Sequence, residues 1–391
     1  MPRTGGNDMR IGYIAEKQLY VWEDGKTTAL SSIRYQNYLA TMQSIHDAKS
    51  WKTSGTGAMF TGAVDNAPVD PARIHVGLHG LVPDPAGMLY AVELDEVGGL
   101  YRRDLDPAAK AEGHVLTRQN LHFGGMDRRG QQLAMCIGSD PMMLHLSMLD
   151  LEDNEETDIT DGDTTECHPS WSPDGSRILC SSAGYARSDS GGIVKLGPYE
   201  ILAYAPAAGS LDTLCSNPAY DYLVPREAPD GALYCIRQPY DDGEKHGNLL
   251  KDIVLFPVRI VKAIGGLLNY FSMRYGGEPL RSNSSRSEKA KHRTPQEMFL
   301  AENMLKAEEN RRQNQQAGDK YPGICPRNRV LLRIDPDGKE TVLRHGVLDY
   351  TLLPDGRIVC SNGTHVLLLE GEQQTELAKA KLAHELTVLE A

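Results

Sequence analysis

"HPSWSPDGSRILCSS" runs from His168 to Ser182 and sets a tryptophan and a Pro-Asp-Gly turn before a short apolar run. The turn has a mechanism. Proline presets one backbone angle, aspartate bonds its own backbone, and glycine accepts a positive φ. Between two apolar runs it reads as a hairpin. Related stretches recur: "LVPDPAGMLYAVEL" (Leu81 to Leu94), "FGGMDRRGQQLAMCIG" (Phe123 to Gly138), "REAPDGALYCIRQ" (Arg226 to Gln238) and "TLLPDGRIVCSN" (Thr351 to Asn362). Each is a strand, a glycine turn and a second strand, and two further strands follow the better-formed units. Four strands per unit, repeated at intervals of some tens of residues, is the pattern of a β-propeller.

"PSWSPDGSRILCSS", Pro169 to Ser182, resembles the WD40-like (PD40) repeat of TolB-like β-propellers, in which a W-S-P-D-G turn joins the first two strands of a blade. The other units keep the turn and lose the tryptophan. The resemblance covers roughly residues 73–240 and 327–391. It implies the fold and leaves function open, because propellers host many unrelated functions.

Four cysteines fit the repeat. Cys136, Cys180, Cys235 and Cys360 each end the strand after the turn, where a free thiol behaves as a small buried hydrophobe. Equivalent positions in different blades should lie beyond disulfide reach. The N-terminal strands "RIGYIAE", "QLYVWED" and "KTTALSS" lack an inner strand. The C-terminal "LAHELTVLE" lacks a sheet. The two are expected to combine, which closes the ring and removes an exposed edge.

The expected fold class is therefore all-β, a β-propeller of six to seven four-stranded blades with an α-helical insertion. The count turns on Ser32 to Val64. Tyr38, Leu39, Met42 and Ile45 have helical spacing behind a Ser32 cap, and "SWKTSGTGAMFTGAV" reads as a hairpin. Counting this segment as a blade gives seven, the number favoured; treating it as a decoration gives six. Its glycines do not form a phosphate loop.

Residues 1–244 form the first part of the ring, 245–326 an insertion within a late blade, and 327–391 the last part. In the insertion, Leu250, Ile253, Val254, Val261, Ile264, Leu268 and Phe271 recur at helical spacing, with Phe256 beside them. A basic stretch follows. From Arg274 to Arg293, six basic residues (Arg281, Arg286, Lys289 and Lys291 among them) stand against two acidic ones. Thr294, Pro295 and Glu297 then open a second helix as a capping box. The apolar face can pack on the ring, lie on an anionic membrane surface through residues 249–293, or dock a protein partner.

The chain has 391 residues and a formal net charge of −12, which argues against a nucleic-acid partner. The N-terminus lacks the apolar run of a signal peptide, so the expectation is a cytoplasmic protein, with peripheral membrane association as the option the insertion leaves open. Propeller enzymes work at the channel mouth, and His75, His79, His122, His168 and His384 stand near inner strands, where converging imidazoles could bind a divalent metal. Against this, a histidine before P-S-W-S-P-D-G is ordinary in the repeat and can bond backbone there. No G-x-S-x-G elbow or H-E-x-x-H is present. The reading is a non-enzymatic scaffold with protein partners and no cofactor. The alternative is a lyase or hydrolase with a channel metal.

Overall fold

The structure, a computed structural model, describes residues 9–49, 76–94, 97–188, 193–240 and 306–390. Strands β1 (Arg10–Ala15), β2 (Gln18–Glu23) and β3 (Lys26–Leu30) join β25 (His384–Glu390) in the first blade. The second holds β4 (Val76–Asp84), β5 (Gly87–Leu94), β6 (Val97–Arg103) and β7 (Gly113–Gln119). The third holds β8 (His122–Arg129), β9 (Gln132–Asp140), β10 (Met143–Asp150) and β11 (Glu156–Asp158). The fourth holds β12 (Thr164–Trp171), β13 (Ile178–Arg187), β15 (Glu200–Ala205) and β16 (Ser210–Cys215), and β14 (Ile193–Leu196) extends β13. The fifth holds β17 (Tyr220–Glu227), β18 (Leu233–Pro239), β19 (Val330–Ile334) and β20 (Glu340–His345). The sixth holds β21 (Asp349–Leu352), β22 (Ile358–Ser361), β23 (His365–Glu370) and β24 (Gln373–Lys379).

The described residues thus form a propeller of six blades, and the favoured count of seven is corrected. The described part of Ser32 to Val64 is helix α1 (Ile33–Lys49) rather than strands. Ser32 caps it, its hydroxyl accepting the Tyr35 N–H at 3.1 Å. The Glu112 carboxylate accepts the Ile33 and Arg34 N–H groups, each at 2.8 Å, so a side chain near blade two ties down the helix that follows blade one. Tyr35, Tyr38, Leu39 and Met42 pack on the core between these two blades. The hairpin expected in residues 50–64 lies outside the described residues.

The turns form as their chemistry dictates. Gly175, Gly231 and Gly356 take φ of 74°, 79° and 85°, and their N–H groups close the turns onto Ser172, Ala228 and Leu353 carbonyls. Asp174, Asp230 and Asp355 accept N–H bonds two residues on, at 2.9, 3.1 and 3.0 Å. Behind each turn the cysteine is fully buried and faces a leucine of the third strand: Cys136 with Leu146, Cys180 with Leu202, Cys235 with Leu332, Cys360 with Leu367. Ala91 opposite Leu100 holds the same place in the second blade. The repeated cysteine is therefore a small residue that makes room for a leucine. All seven cysteines are free.

Hydrogen bonds cross the seams between blades. The Phe123 N–H donates to Glu93 (2.6 Å), the Trp171 N–H to Asp127 (2.7 Å), Ser170 Oγ to the Pro225 carbonyl (2.7 Å), Tyr350 Oη to the Val224 carbonyl (2.8 Å), and the Leu386 N–H to Asp349 (2.9 Å).

The return of the chain after residue 305 is built into the ring. Helix α2 (Ala307–Gln316) buries Asn310 and Asn314. Their amides donate to the Ile324, Gly323 and Cys325 carbonyls, and Ile324 and Cys325 are buried in turn. Asn362, in the sixth blade, donates to the Tyr321 carbonyl.

Closure through β25 is testable. Leu386 is 1% exposed, in a cluster with Ile11, Tyr13 and Val359. Leu386→Ala should destabilise the chain by about 2–5 kcal/mol. Ending the chain at Lys381 should abolish cooperative unfolding, because β1 would become an inner edge with no partner. Denaturant unfolding and size-exclusion profiles check both. A truncated chain that melts as before would overturn the closure.

Candidate functional site: the axial cavity

Around the axis the inner strands share an irregularity. Register shifts interrupt β4 between His79 and Val82, β8 between Phe123 and Met126, β12 between Cys167 and Ser170, and β17 between Leu223 and Arg226. A fifth shift lies where β25 meets β1. In each bulge one residue has positive φ: Gly80 (57°), Gly125 (118°), His168 (53°), Val224 (53°) and Glu385 (53°). Glycine adopts this conformation freely, whereas a β-branched valine does so only under strain. An extra residue re-aims the side chains beside it.

The bulges of β8, β12, β17 and β25 line a cavity of about 120 Å³. One water needs ~10–15 Å³ measured this way, so the space holds roughly eight waters or a small molecule. Its wall includes His168, Arg226, Glu385, Asp349, Glu166, Cys167, Gln238 and Arg329.

Burial sets the electrostatics. It pushes the Asp349 carboxyl up from its ordinary value, with Glu385 nearby adding to the effect. Asp127 is pushed up by burial too, against the pull of Arg226 and two backbone N–H bonds. The Cys167 thiol is driven well up by burial, so it is no nucleophile at neutral pH. His168 is pushed down to about 4 by burial; Glu385 opposes this, while Arg329 and Arg226 reinforce it. At neutral pH its imidazole is uncharged.

Arg329, buried and pushed down from its ordinary value by burial, is fully engaged. It donates to the Val347 carbonyl (2.9 Å), the Leu348 carbonyl (3.0 Å) and Gln238 Oε1 (2.6 Å). Gln238 in turn donates to Asp221 at 3.1 Å. Gln238 lies just before the insertion and Arg329 just after it, so the two ends of that segment are clasped at the cavity wall. Beside them, Tyr240 donates to the Leu196 carbonyl at the end of β14.

The candidate histidines divide. His168 and His384 line the cavity. His384 Nδ1 sits 2.9 Å from the Leu382 carbonyl, whereas His168 Nδ1 is buried with no hydrogen-bond partner, contrary to a backbone-bonding role for that atom. His79 and His122 form a separate group around Glu93, at 3.5 and 3.0 Å. His75 lies outside the described residues. Among the described residues no three His, Cys, Asp or Glu side chains converge as a metal site. Leu250, Ile253, Val254, Phe256, Val261, Ile264, Leu268, Phe271, Arg281, Arg286, Lys289 and Lys291 also lie outside them, as does the start of the helix opened by Thr294, whose last turns are α2. Sequence reasoning missed Arg226, Glu385, Asp349, Gln238 and Arg329. For Glu385, a charge inside the inner strand β25, the signal was there; Gln238 and Arg329 lie outside the inner strands.

This architecture defines the class: a six-bladed β-propeller. Among solved structures, the chain is similar to TolB from Acinetobacter baumannii at 12% identity, covering 98% of this chain and 67% of that one with a TM-score of 0.50. It is also similar to a putative TolB from Agrobacterium tumefaciens (18% identity, 62% and 81% covered, TM-score 0.33) and to an oligogalacturonate lyase in complex with manganese (15%, 59% and 58%, 0.33). The likeness at this identity is one of fold. No family model matches the chain, and no curated protein does.

His168 makes stability pH-dependent with a definite sign. The unfolded imidazole takes its proton near pH 6.5, the folded one only near 4. Its contribution is complete above about 6.5 and drains away as pH falls toward 4. Between pH 7 and pH 4 the chain should lose on the order of 3 kcal/mol more than His168→Gln does. Urea unfolding of both proteins across that range checks this. Identical pH slopes would sink it.

Proposed function

We propose that this protein is a non-enzymatic interaction scaffold. A rigid ring presents the segment 241–305 as a docking element for a protein partner. The observation behind this reading is the clasp of Gln238 by Arg329, with the β13–β14 hairpin leaning on Tyr240 beside it. These additions to the four-stranded plan stand together at the cavity end of blades four and five. A ring that needed only to fold would gain nothing from holding some ninety residues between two strands of one sheet. The seven free thiols support a reducing compartment such as the cytoplasm.

A second reading has its own support in the sequence. An apolar helical face next to a local excess of basic residues fits an anionic membrane surface. In that reading Ile264 lies in the buried face, while Lys289 and Lys291 meet the headgroups.

The docking element is tested by excising residues 241–305 and joining Tyr240 to Lys306 with a short Gly/Ser linker. The boundary matters, because residues 306–326 carry buried contacts of their own. The shortened chain should melt within a few degrees of the parent. Collapse on excision would place the segment in the core and end the scaffold reading. Co-sedimentation with anionic and neutral vesicles then separates the two partners. Binding to anionic vesicles that falls with salt, is abolished by Ile264→Asp and is weakened by reversing Lys289 and Lys291 supports the membrane. A protein that stays in the supernatant at low and physiological salt leaves the protein partner.

A further inference from the structure

We propose that closure of the ring is a proton-operated latch, in which Asp349 on β21 and Glu385 on β25 stand as two carboxyls at the seam where the last strand joins, and a proton on the pair tightens the joint. This stands apart from the scaffold reading and does not depend on it.

The geometry of the joint is the first support. β25 pairs with β1 at His384 with Ile14 and again at Thr387 with Gly12, so Glu385 and Leu386 fall in the bulge and have no pairing partner in β1. Glu385 takes its φ of 53° there. The Leu386 N–H donates instead to Asp349 Oδ2 at 2.9 Å, and the Tyr350 N–H donates to Oδ1 at 2.8 Å. At this point a side chain from the sixth blade, rather than a backbone ladder, holds the last strand. Asp349 is buried, and so is Glu385 Oε1, which has no hydrogen-bond partner.

Other seams use the same device with different neighbours. Glu93 accepts the Phe123 N–H with two imidazoles beside it, His79 and His122. Asp127 accepts the Trp171 N–H with the charge of Arg226 in reach. At Asp349 the joining strand brings a second carboxyl. Two carboxylates in a buried site resist ionising together.

The surroundings decide how far that resistance is relieved. Strands β17, β22 and β25 pack on β21. β17 brings Arg226, β22 brings the neutral Cys360 thiol, and β25 brings His384 beside Glu385. Glu166, His168 and Arg329 complete the wall. Burial, and after it Glu385, raises the Asp349 carboxyl; the two N–H bonds and Arg226 pull it down without cancelling the rise. A carboxyl raised in the closed ring holds its proton more tightly there than in an opened one. Its contribution to closure is full at low pH and is lost as pH climbs through the closed-ring value, above the ordinary carboxylate range. His168 has the opposite sign, favouring opening as pH falls, so the two effects are separable.

Hydrogen exchange of the full chain between pH 4 and pH 8, corrected for the intrinsic pH dependence of exchange, tests this. Amides of β25 should open about tenfold or more readily at pH 8 than at pH 5, while those of β9, on the far side of two seams, should not follow. Glu385→Gln should shrink that slope. Asp349→Asn should abolish it and leave β25 less protected than in the parent at every pH. The latch is overturned if β25 and β9 share one pH slope, or if the β25 slope survives in Asp349→Asn. Should Asp349→Asn fail to fold, Glu385→Gln decides, and an unchanged slope in that variant overturns the proposal.

Discussion

The pairing of β25 with β1 is the constraint on which the rest of the molecule depends. A strand late in the chain becomes the inner strand of the first blade, so β1 has no free inner edge. Closure fixes the axis, and the axis fixes what can be there. Six inner strands converge, and five carry a bulge that turns side chains inward. The Leu386 N–H bond to Asp349 is the polar end of this closure, and Leu386 in its cluster with Tyr13 is the apolar end. Glu385, between β25's two anchoring neighbours, is held at its unusual φ by both.

The blades could be read from the sequence because their chemistry is local. A Pro-Asp-Gly turn needs only its own few residues, and a buried cysteine opposite a leucine needs only the adjacent strand. The blade count was not local. Ser32 to Val64 has the length of a blade, and only the dock of α1 against the first two blades, with the Glu112 carboxylate as a second cap, shows a helix in the part described. The cavity was harder still. Strand alternation shows which side chains share a face. A bulge breaks the alternation where it matters. Arg226 lies just beyond the bulge in β17 and beside Glu227, so in the sequence it looks like the solvated end of a strand. His168 was legible as a channel residue, and its missing partner was not.

The axis is an expensive way to fill a ring. Asp127, Asp349, Arg226 and Arg329 come from three blades and the segment before β19, and burial disfavours the charged forms of both aspartates and Arg329. Replacing buried charges by apolar side chains of similar volume is often neutral or stabilising. The ring does not need these charges to cohere, because apolar clusters between neighbouring blades hold it together: Leu89, Leu100, Phe123, Leu133 and Leu149 form one, and Leu331, Tyr350, Ile358 and Leu367 belong to another. Apolar packing between blades carries most of the cohesion, and the buried carboxylates near the axis add single hydrogen bonds at the seams, Asp127 to the Trp171 N–H and Asp349 to the Leu386 N–H.

That division bears on His168 and Glu385, two of the three strained residues at the bulges. A bulge with glycine, as at Gly80 and Gly125, makes the inward turn without penalty. At His168 and Glu385 the same turn is made with side chains that glycine lacks, on a backbone that disfavours them. Both end as buried groups whose hydrogen-bonding capacity the protein leaves unused at Nδ1 and Oε1. A purely structural position would combine the easy backbone with no polar atom to satisfy. These two positions combine the hard backbone with a buried polar atom that the protein leaves unpartnered.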